Sequence, residues 1–227
     1  MPDFFRFPHT PYVAWLGKRA PREGKVLSLD EANGLLTREL IVEEKVDGAN
    51  VGFSVEENGE LRVQNRGSFL DAGHCRPQFK PLFRWLQLRA NALAEELFPD
   101  LMLFGEWCYA EHSIRYTRLP DWLLVFDVYD RACGQFWSTE RRDHLVAKLG
   151  LVTVPRLAAG RFNLPRLQRL LGDSRLGDVP AEGVYLRGDE GDWLAARAKL
   201  VRPEFTQAIG EHWSHRTLKP NTRVDGP

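Results

Sequence analysis

The chain has 227 residues, 43% of them hydrophobic, 11% aromatic and 27% charged, which is the composition of a globular domain rather than of a disordered or fibrous chain. Its 31 basic residues balance 31 acidic ones, so bulk charge cannot coat a nucleic acid, and a polyanionic partner would need a local basic patch. No apolar run approaches a membrane span, no signal peptide opens the chain, and Cys75, Cys108 and Cys133 show neither CxxC spacing nor a disulfide framework, so the expected setting is the reducing cytoplasm.

In chain order, Ser28 with Glu31 fits a capping box that opens a helix over about 29–35, ending near Leu36. Residues 40–45 (LIVEEK) and 49–55 (ANVGFSV) read as strands around an Asp-Gly turn, and 60–65 (ELRVQN) returns as a strand after the turn at Glu57-Asn58-Gly59. Leu82, Phe83, Leu86, Ala90, Leu93 and Leu97 follow helical spacing behind Pro81 and predict one long helix, with Arg84 and Arg89 on its exposed face. Apolar strands are expected at 101–107 and 122–129, and helices at about 139–149 and 164–171, the first stopped by Gly150 and the second capped by Asn163. Strands at 183–187 and 193–200 precede an amphipathic stretch from Pro203 to Trp213 and a frayed tail over 214–227. Strand pairs and helices mix without a βαβ rhythm, so the expected class is α+β with antiparallel sheets flanked by helices.

Only seven of the basic residues are lysines, and one of them stands in Lys45-Val46-Asp47-Gly48 at a strand end. Alone, K-x-D-G reads equally as a lysine paired with Glu43 or Glu44. A nucleophilic lysine instead attacks as the neutral amine, and needs cationic neighbours, a metal or a desolvated pocket to lower its pKa. What decides is the order of motifs that follow. Asn65-Arg66-Gly67 sits on the next hairpin, Phe104-Gly105-Glu106-Trp107 ends an apolar strand, and Phe126-Asp127-Val128 lies within another. Glu182-Gly183-Val184-Tyr185-Leu186-Arg187 and Arg197-Ala198-Lys199 close the series.

In that order the chain resembles the covalent nucleotidyltransferase superfamily of polynucleotide ligases and capping enzymes, and is most similar to the phage-type, nick-sealing ATP-dependent RNA ligases. The resemblance covers about residues 45–199. It implies a nucleotidyltransferase (ATP-grasp-like ligase) fold using ATP and Mg²⁺ or Mn²⁺. Lys45 would attack the α-phosphate of ATP, with Glu44 beside it at the nucleotide. Glu106 would accept from the ribose hydroxyls, Phe126 would stack on adenine, Glu182 would help bind the metal, and Arg197 and Lys199 would contact phosphates. Arg66 would contact the nucleotide or the 5′-phosphate end, and Asn50 matches an asparagine these ligases carry just after the nucleophile. Taken without the resemblance, Glu106 and Glu182 also read as surface carboxylates, and Phe126 as core.

Arg197 and Lys199 alternate with residues facing the other way and therefore share a sheet face, from which their charge would depress the Lys45 pKa. Arg197 departs from the lysine many relatives have there. Only 28 residues follow Lys199, so the expectation is a catalytic domain over 1–213 with no OB domain. Glu111–Tyr116 reads either as a solvated loop or as a loop over the cleft offering Arg115, Tyr116 and Arg118 to RNA. His112 beside Ser113 lacks any ordered triad, no histidine shows metal-ligand spacing, and Arg161, Arg166 and Arg169 read as a solvated stripe. The expected partners are RNA ends bearing a 5′-phosphate and a 3′-hydroxyl, and an end-healing kinase or phosphatase; no membrane is involved. The rivals are a minimal DNA ligase, a capping-type nucleotidyltransferase, and a catalytically inactive RNA-binding relative.

Overall fold

A computed structural model describes residues 4–18, 21, 25–207 and 218–225. Among these residues, ten strands form two sheets. The first sheet has the order β10 (Trp193–Val201), β9 (Gly183–Glu190), β1 (Leu40–Lys45), β8 (Arg156–Gly160), with every neighbour antiparallel. The second runs β3 (Leu61–Asn65), β2 (Ala49–Val55), β4 (Leu101–Trp107), β5 (Leu123–Asp130), β6 (Gln135–Phe136), with β7 (Val152–Thr153) parallel to β5. The helices are α1 (Leu29–Leu36), α2 (Lys80–Gln87), α3 (Ala90–Leu97), α4 (Thr139–Lys148), α5 (Leu164–Arg169) and α6 (Pro203–Gln207). The class is α+β, as the patterning implies. None of the described helices is long and apolar enough to cross a membrane.

Each sheet buries one face against its own helices. Leu35 of α1 and Leu167 of α5 meet Val42, Leu186 and Leu200 of the first sheet. Leu82 and Trp85 of α2 and Leu93 and Leu97 of α3 meet Phe53, Leu103 and Trp107 of the second. Burying one such side chain stabilises the fold by about 1.5–3 kcal/mol, so these two apolar layers hold the sheets as separate platforms.

The Asp-Gly step is not a hairpin. Lys45 ends β1 opposite Gly183 in the first sheet, whereas Ala49 opens β2 opposite Trp107 in the second. Lys45-Val46-Asp47-Gly48 is therefore the crossing between the two sheets. Gly48 is needed by close approach, because a Cβ there would lie 2.7 Å from the Trp107 carbonyl oxygen.

Three further expectations change. The single helix over 82–97 is two, because the chain turns at Leu88 and at Arg89, whose φ of −125° leaves the helical region. Arg89 is not a surface decoration: its guanidinium lies 4.4 Å from the Trp85 ring centroid and 3.2 Å from Asp121. The frayed tail is ordered where it is described. Asn221 is buried, Pro220 pairs with Ala110, and Arg223 pairs with Leu119. The Pro203–Trp213 expectation is met by α6 as far as Gln207, and the rest of it lies outside the described residues.

A buried ionic clasp ties the sheets together. Arg187 of β9 pairs with Asp127 of β5, and both are fully buried; Arg197 of β10 reaches the other Asp127 oxygen at 3.2 Å. Arg142 of α4 binds Glu43 of β1 at 2.5 and 3.1 Å. Arg142 and Arg187 both donate to the Phe126 carbonyl, at 2.8 and 3.0 Å. Replacing such pairs by apolar groups is often tolerated, but each strongly resists losing one partner.

Candidate active site between the two sheets

A cleft of about 900 Å³ opens at the crossing and is lined by Lys45, Asn50, Arg66, Glu106, Phe126 and Lys199, among others. Most of the residues singled out in the sequence therefore converge, although they come from different strands of two sheets.

Lys45 is held by its neighbours. Its Nζ lies 2.5 Å from Glu182 Oε2, at the residue just before β9. Gly183, the next residue, allows the close approach of β10, since a Cβ there would fall 2.2 Å from the Leu200 carbonyl oxygen. Burial works to lower the Lys45 pKa, but the charges of Glu182 and Glu106, the Glu182 hydrogen bond and Asp47 outweigh it, and the net shift is upward. This corrects the expected depression: carboxylates, not Arg197 and Lys199, dominate the field at Lys45. In this arrangement the Lys45 amine is held as an ammonium ion.

Glu106 faces Asn50 across the β2–β4 pair and accepts from the Gly48 N–H at 3.0 Å. Burial, reinforced by the Asp47 and Glu182 charges against the pull of Lys45, pushes its carboxyl up to about 8. It can therefore carry a proton at neutral pH and act as donor as well as acceptor. Asp47 accepts from the Ser113 and Ile114 N–H groups at 2.7 and 3.1 Å, and its own N–H donates to Tyr116 Oη at 2.8 Å. Burial raises the Asp47 carboxyl, with Lys45 and these N–H donors opposing.

Phe126 is half-buried, with its ring edge-on to Phe7 at 5.2 Å and its carbonyl fixed by the two arginines. A flat ligand ring can stack on such an aromatic floor. Lys199 sits with its Nζ 4.2 Å from the Tyr12 ring centroid, and its backbone pairs with Pro11 and Val13. Arg66 is exposed at the cleft rim, 2.8 Å from His9 Nδ1. Asn50 Oδ1 is a buried acceptor with no hydrogen-bond partner among the described residues. An unpaired buried acceptor is costly, and a ligand donor in the cleft would satisfy it.

Other expectations fall elsewhere. Arg197 does share a face with Lys199, but its guanidinium is bound to Asp127 and stacked on Phe7 and Phe136 rather than lining the cleft. Glu44 lines the cleft but accepts from Ser174 Oγ at 2.5 Å and Arg175 N at 2.8 Å, so its carboxylate holds that loop. Arg115 and Arg118 are exposed and away from the cleft lining, and Arg118 pairs with Asp178 at 2.7 Å. His112 lines the cleft and bonds Gln78 at 2.9 Å, and burial lowers its pKa to about 4, so it is neutral at pH 7.

Sequence reasoning gave no role to Phe7, Thr10 or Tyr185, which also line the cleft. Tyr185 stands in the E-G-V-Y stretch, and its pairing opposite Lys199 brings it to the cleft. Phe7 and Thr10 precede every motif in a segment without periodicity, and nothing in the sequence marked them.

Chemically, a cleft lined by Lys45, Arg66, Arg76 and Lys199, with a stacking ring and a carboxyl that can donate, fits a phosphate-bearing ligand with a flat ring. Among the described residues no group of three or more His, Cys, Asp or Glu side chains is placed to hold a metal. Glu182 would thus supply a single carboxylate, which suits a hard cation that takes its other ligands from phosphate and water.

Comparison with known proteins places this arrangement. A search of curated proteins returned no match. Solved structures of Naegleria gruberi RNA ligase are similar: an arginine-to-alanine variant with ATP and Mn superposes with a TM-score of 0.64 at 18% identity, covering 91% of this chain and 59% of that one. A lysine-to-alanine variant with ATP and Mn gives 0.63 at 18% identity, with the same coverages. The structure with pyrophosphate gives 0.59 at 18% identity, covering 89% of this chain and 63% of that one. The chain thus spans about three-fifths of the length of the ligases it matches. The family model for RNA ligase matches residues 38–201, from just before β1 to the end of β10 and including all the motif residues at the cleft, and the chain belongs to the RNA ligase family.

Proposed function

We propose that the chain is an ATP-dependent RNA ligase of the nick-sealing type, joining a 3′-hydroxyl to a 5′-phosphate through lysine-AMP and AMP-capped intermediates. The observation that carries this reading is the position of Lys45. It stands at the crossing of two sheets, at the mouth of a cleft that also presents Lys199, Arg66 and the Phe126 ring.

The residues divide the work. Phe126 takes the adenine, and Asn50 and Glu106 supply polar contacts to the nucleoside. Lys199 and Arg66 neutralise phosphate charge, which is the main requirement of phosphoryl transfer. Lys45 leaves Glu182 and gives its proton to water, and its amine forms an N–P bond to the α-phosphorus as the bond to pyrophosphate breaks. A 5′-phosphate oxygen then attacks the same phosphorus, the N–P bond breaks, and the lysine is restored. Finally the 3′-hydroxyl attacks the capped 5′-phosphate and AMP leaves. A divalent cation on Glu182 would supply positive charge at the phosphates and favour the neutral amine.

The Naegleria gruberi structures with ATP, Mn and pyrophosphate support this choice of ligands, because their fold is shared. We place the residues that meet the ligand within residues 1–213, with the 218–225 segment packed on that unit. The required ends imply a kinase or phosphatase acting upstream on RNA. A reducing compartment such as the cytoplasm suits the three free cysteines.

The test is a set of otherwise identical nicks with RNA or DNA on either side, assayed at fixed salt. Sealing that requires ribonucleotides on the 3′-hydroxyl strand supports the reading, because A-form geometry and the 2′-hydroxyl are what distinguish RNA. Equal or faster sealing of an all-DNA nick would reassign the chain as a minimal DNA ligase.

A further inference from the structure

The last described segment, residues 218–225, lies outside the stretch that defines the family, yet it is bonded to the loop that holds the nucleophile turn. Asn221 is 4% exposed, and its carboxamide is fully used. Its Oδ1 accepts from the Tyr116 N–H at 2.8 Å, and its Nδ2 donates to the Cys108 and Ala110 carbonyls at 2.8 and 3.2 Å. Backbone bonds on both sides continue the tie. Glu111 N–H donates to Lys219 O, Asn221 N–H to Tyr109 O, Thr222 N–H to Tyr116 O, and Leu119 N–H to Thr222 O, at 2.8–3.1 Å.

The loop in turn grips the turn at Asp47. Ser113 and Ile114 hold its carboxylate, and Tyr116 Oη accepts its backbone N–H. Tyr116 is fully buried, so this hydroxyl has one fixed position. The path from Asn221 to Asp47 passes through one residue, Tyr116, which is bonded at its backbone to Asn221 and at its hydroxyl to Asp47. Lys45 is two residues from that end. The 108–119 loop thus braces the crossing.

We propose that Asn221 and Tyr116 are positioning residues: the 218–225 strap locks the 108–119 loop so that the Asp47 turn aims Lys45 at the ligand phosphate. This rests on the adenylyl-transfer reading. A buried carboxamide that spends every donor and acceptor on one loop fixes that loop in a single geometry, and an in-line attack tolerates little misplacement.

The experiment uses the full chain with Asn221→Ala, and with Tyr116→Phe as a variant that leaves the strap intact and removes only the hydroxyl. Hydrogen exchange without ATP is read at the Asp47, Ser113 and Ile114 amides, and single-turnover AMP transfer is read across ATP concentrations. In Asn221→Ala, exchange at these amides should quicken by about tenfold or more, and in both variants the saturated transfer rate should fall by about tenfold or more. Half-saturation by ATP should stay within about twofold, because the contacts to ATP are intact. Unchanged exchange in Asn221→Ala, or a lowered melting temperature with an unchanged transfer rate, would overturn the inference. If the native chain takes up no AMP at all, the ligase reading falls with it; a native chain that reacts beside variants of equal rate overturns the strap alone.

Discussion

Replacing Arg142 by methionine removes the cation that lies between Glu43 and the Phe126 carbonyl. Arg142 is 1% exposed, and its guanidinium makes two bonds to Glu43, one to the Phe126 carbonyl and two to Asp143. Glu43, also 1% exposed, would be left charged and unpaired, and breaking such a pair costs about 3–5 kcal/mol. The penalty should therefore fall in that range at pH 7. The assay is urea unfolding of both proteins at pH 7 with the slope monitored, so that a change in the unfolded state is not read as stability. Because the Phe126 carbonyl also loses one of its two arginines, nucleotide binding should weaken at pH 7. A penalty under about 1 kcal/mol would show that Glu43 finds another partner and that the clasp is not a closed ionic unit.

Glu106→Gln tests the raised carboxyl. Protonation of Glu106 stabilises the native fold fully below about pH 4.5, and that contribution is lost as the pH rises through about 8; melting curves should show the Gln variant gaining on the native protein across this window. Glu182→Gln should move the ascending limb of the adenylylation pH–rate profile to lower pH, because the charge that most raises the Lys45 pKa is gone; an unmoved limb would separate Glu182 from the lysine. Gly48→Ala forces a Cβ to 2.7 Å from the Trp107 carbonyl and should cost about 1–3 kcal/mol in unfolding experiments and most of the AMP transfer, since the crossing itself must shift.

How far the sequence could be read depends on whether a feature is local. Strands β1, β2 and β4 fall at the expected positions because their apolar runs are bounded by turn residues. Asn163 caps α5 and Ser28 caps α1 through hydrogen bonds that reach only three residues along the chain. Pairing is not local. A strand–turn–strand pattern around Asp47-Gly48 has the same periodicity whether β1 and β2 pair or part into two sheets, and only the partners Gly183 and Trp107 decide it. The convergence of Lys45, Glu106, Phe126, Glu182 and Lys199 came from motif order, not from any spacing. Charge balance at Lys45 was misjudged because the alternation of Arg197 and Lys199 reveals their shared face but not that Asp127 claims Arg197. Asn221 gave no signal, since a polar residue near the end of the chain in a stretch of Pro, Asn and Thr has the composition of a loose terminus.

The account stands on Lys45 accepting AMP. The most direct measurement is incubation of the full chain with α-labelled ATP and Mg²⁺ or Mn²⁺, followed by peptide mapping of the labelled protein. One AMP should be found on Lys45, in an acid-labile linkage as a phosphoramide requires, with label absent from Lys45→Ala and pyrophosphate released in equal amount. Label on a different lysine, or label that persists in Lys45→Ala, would contradict the account.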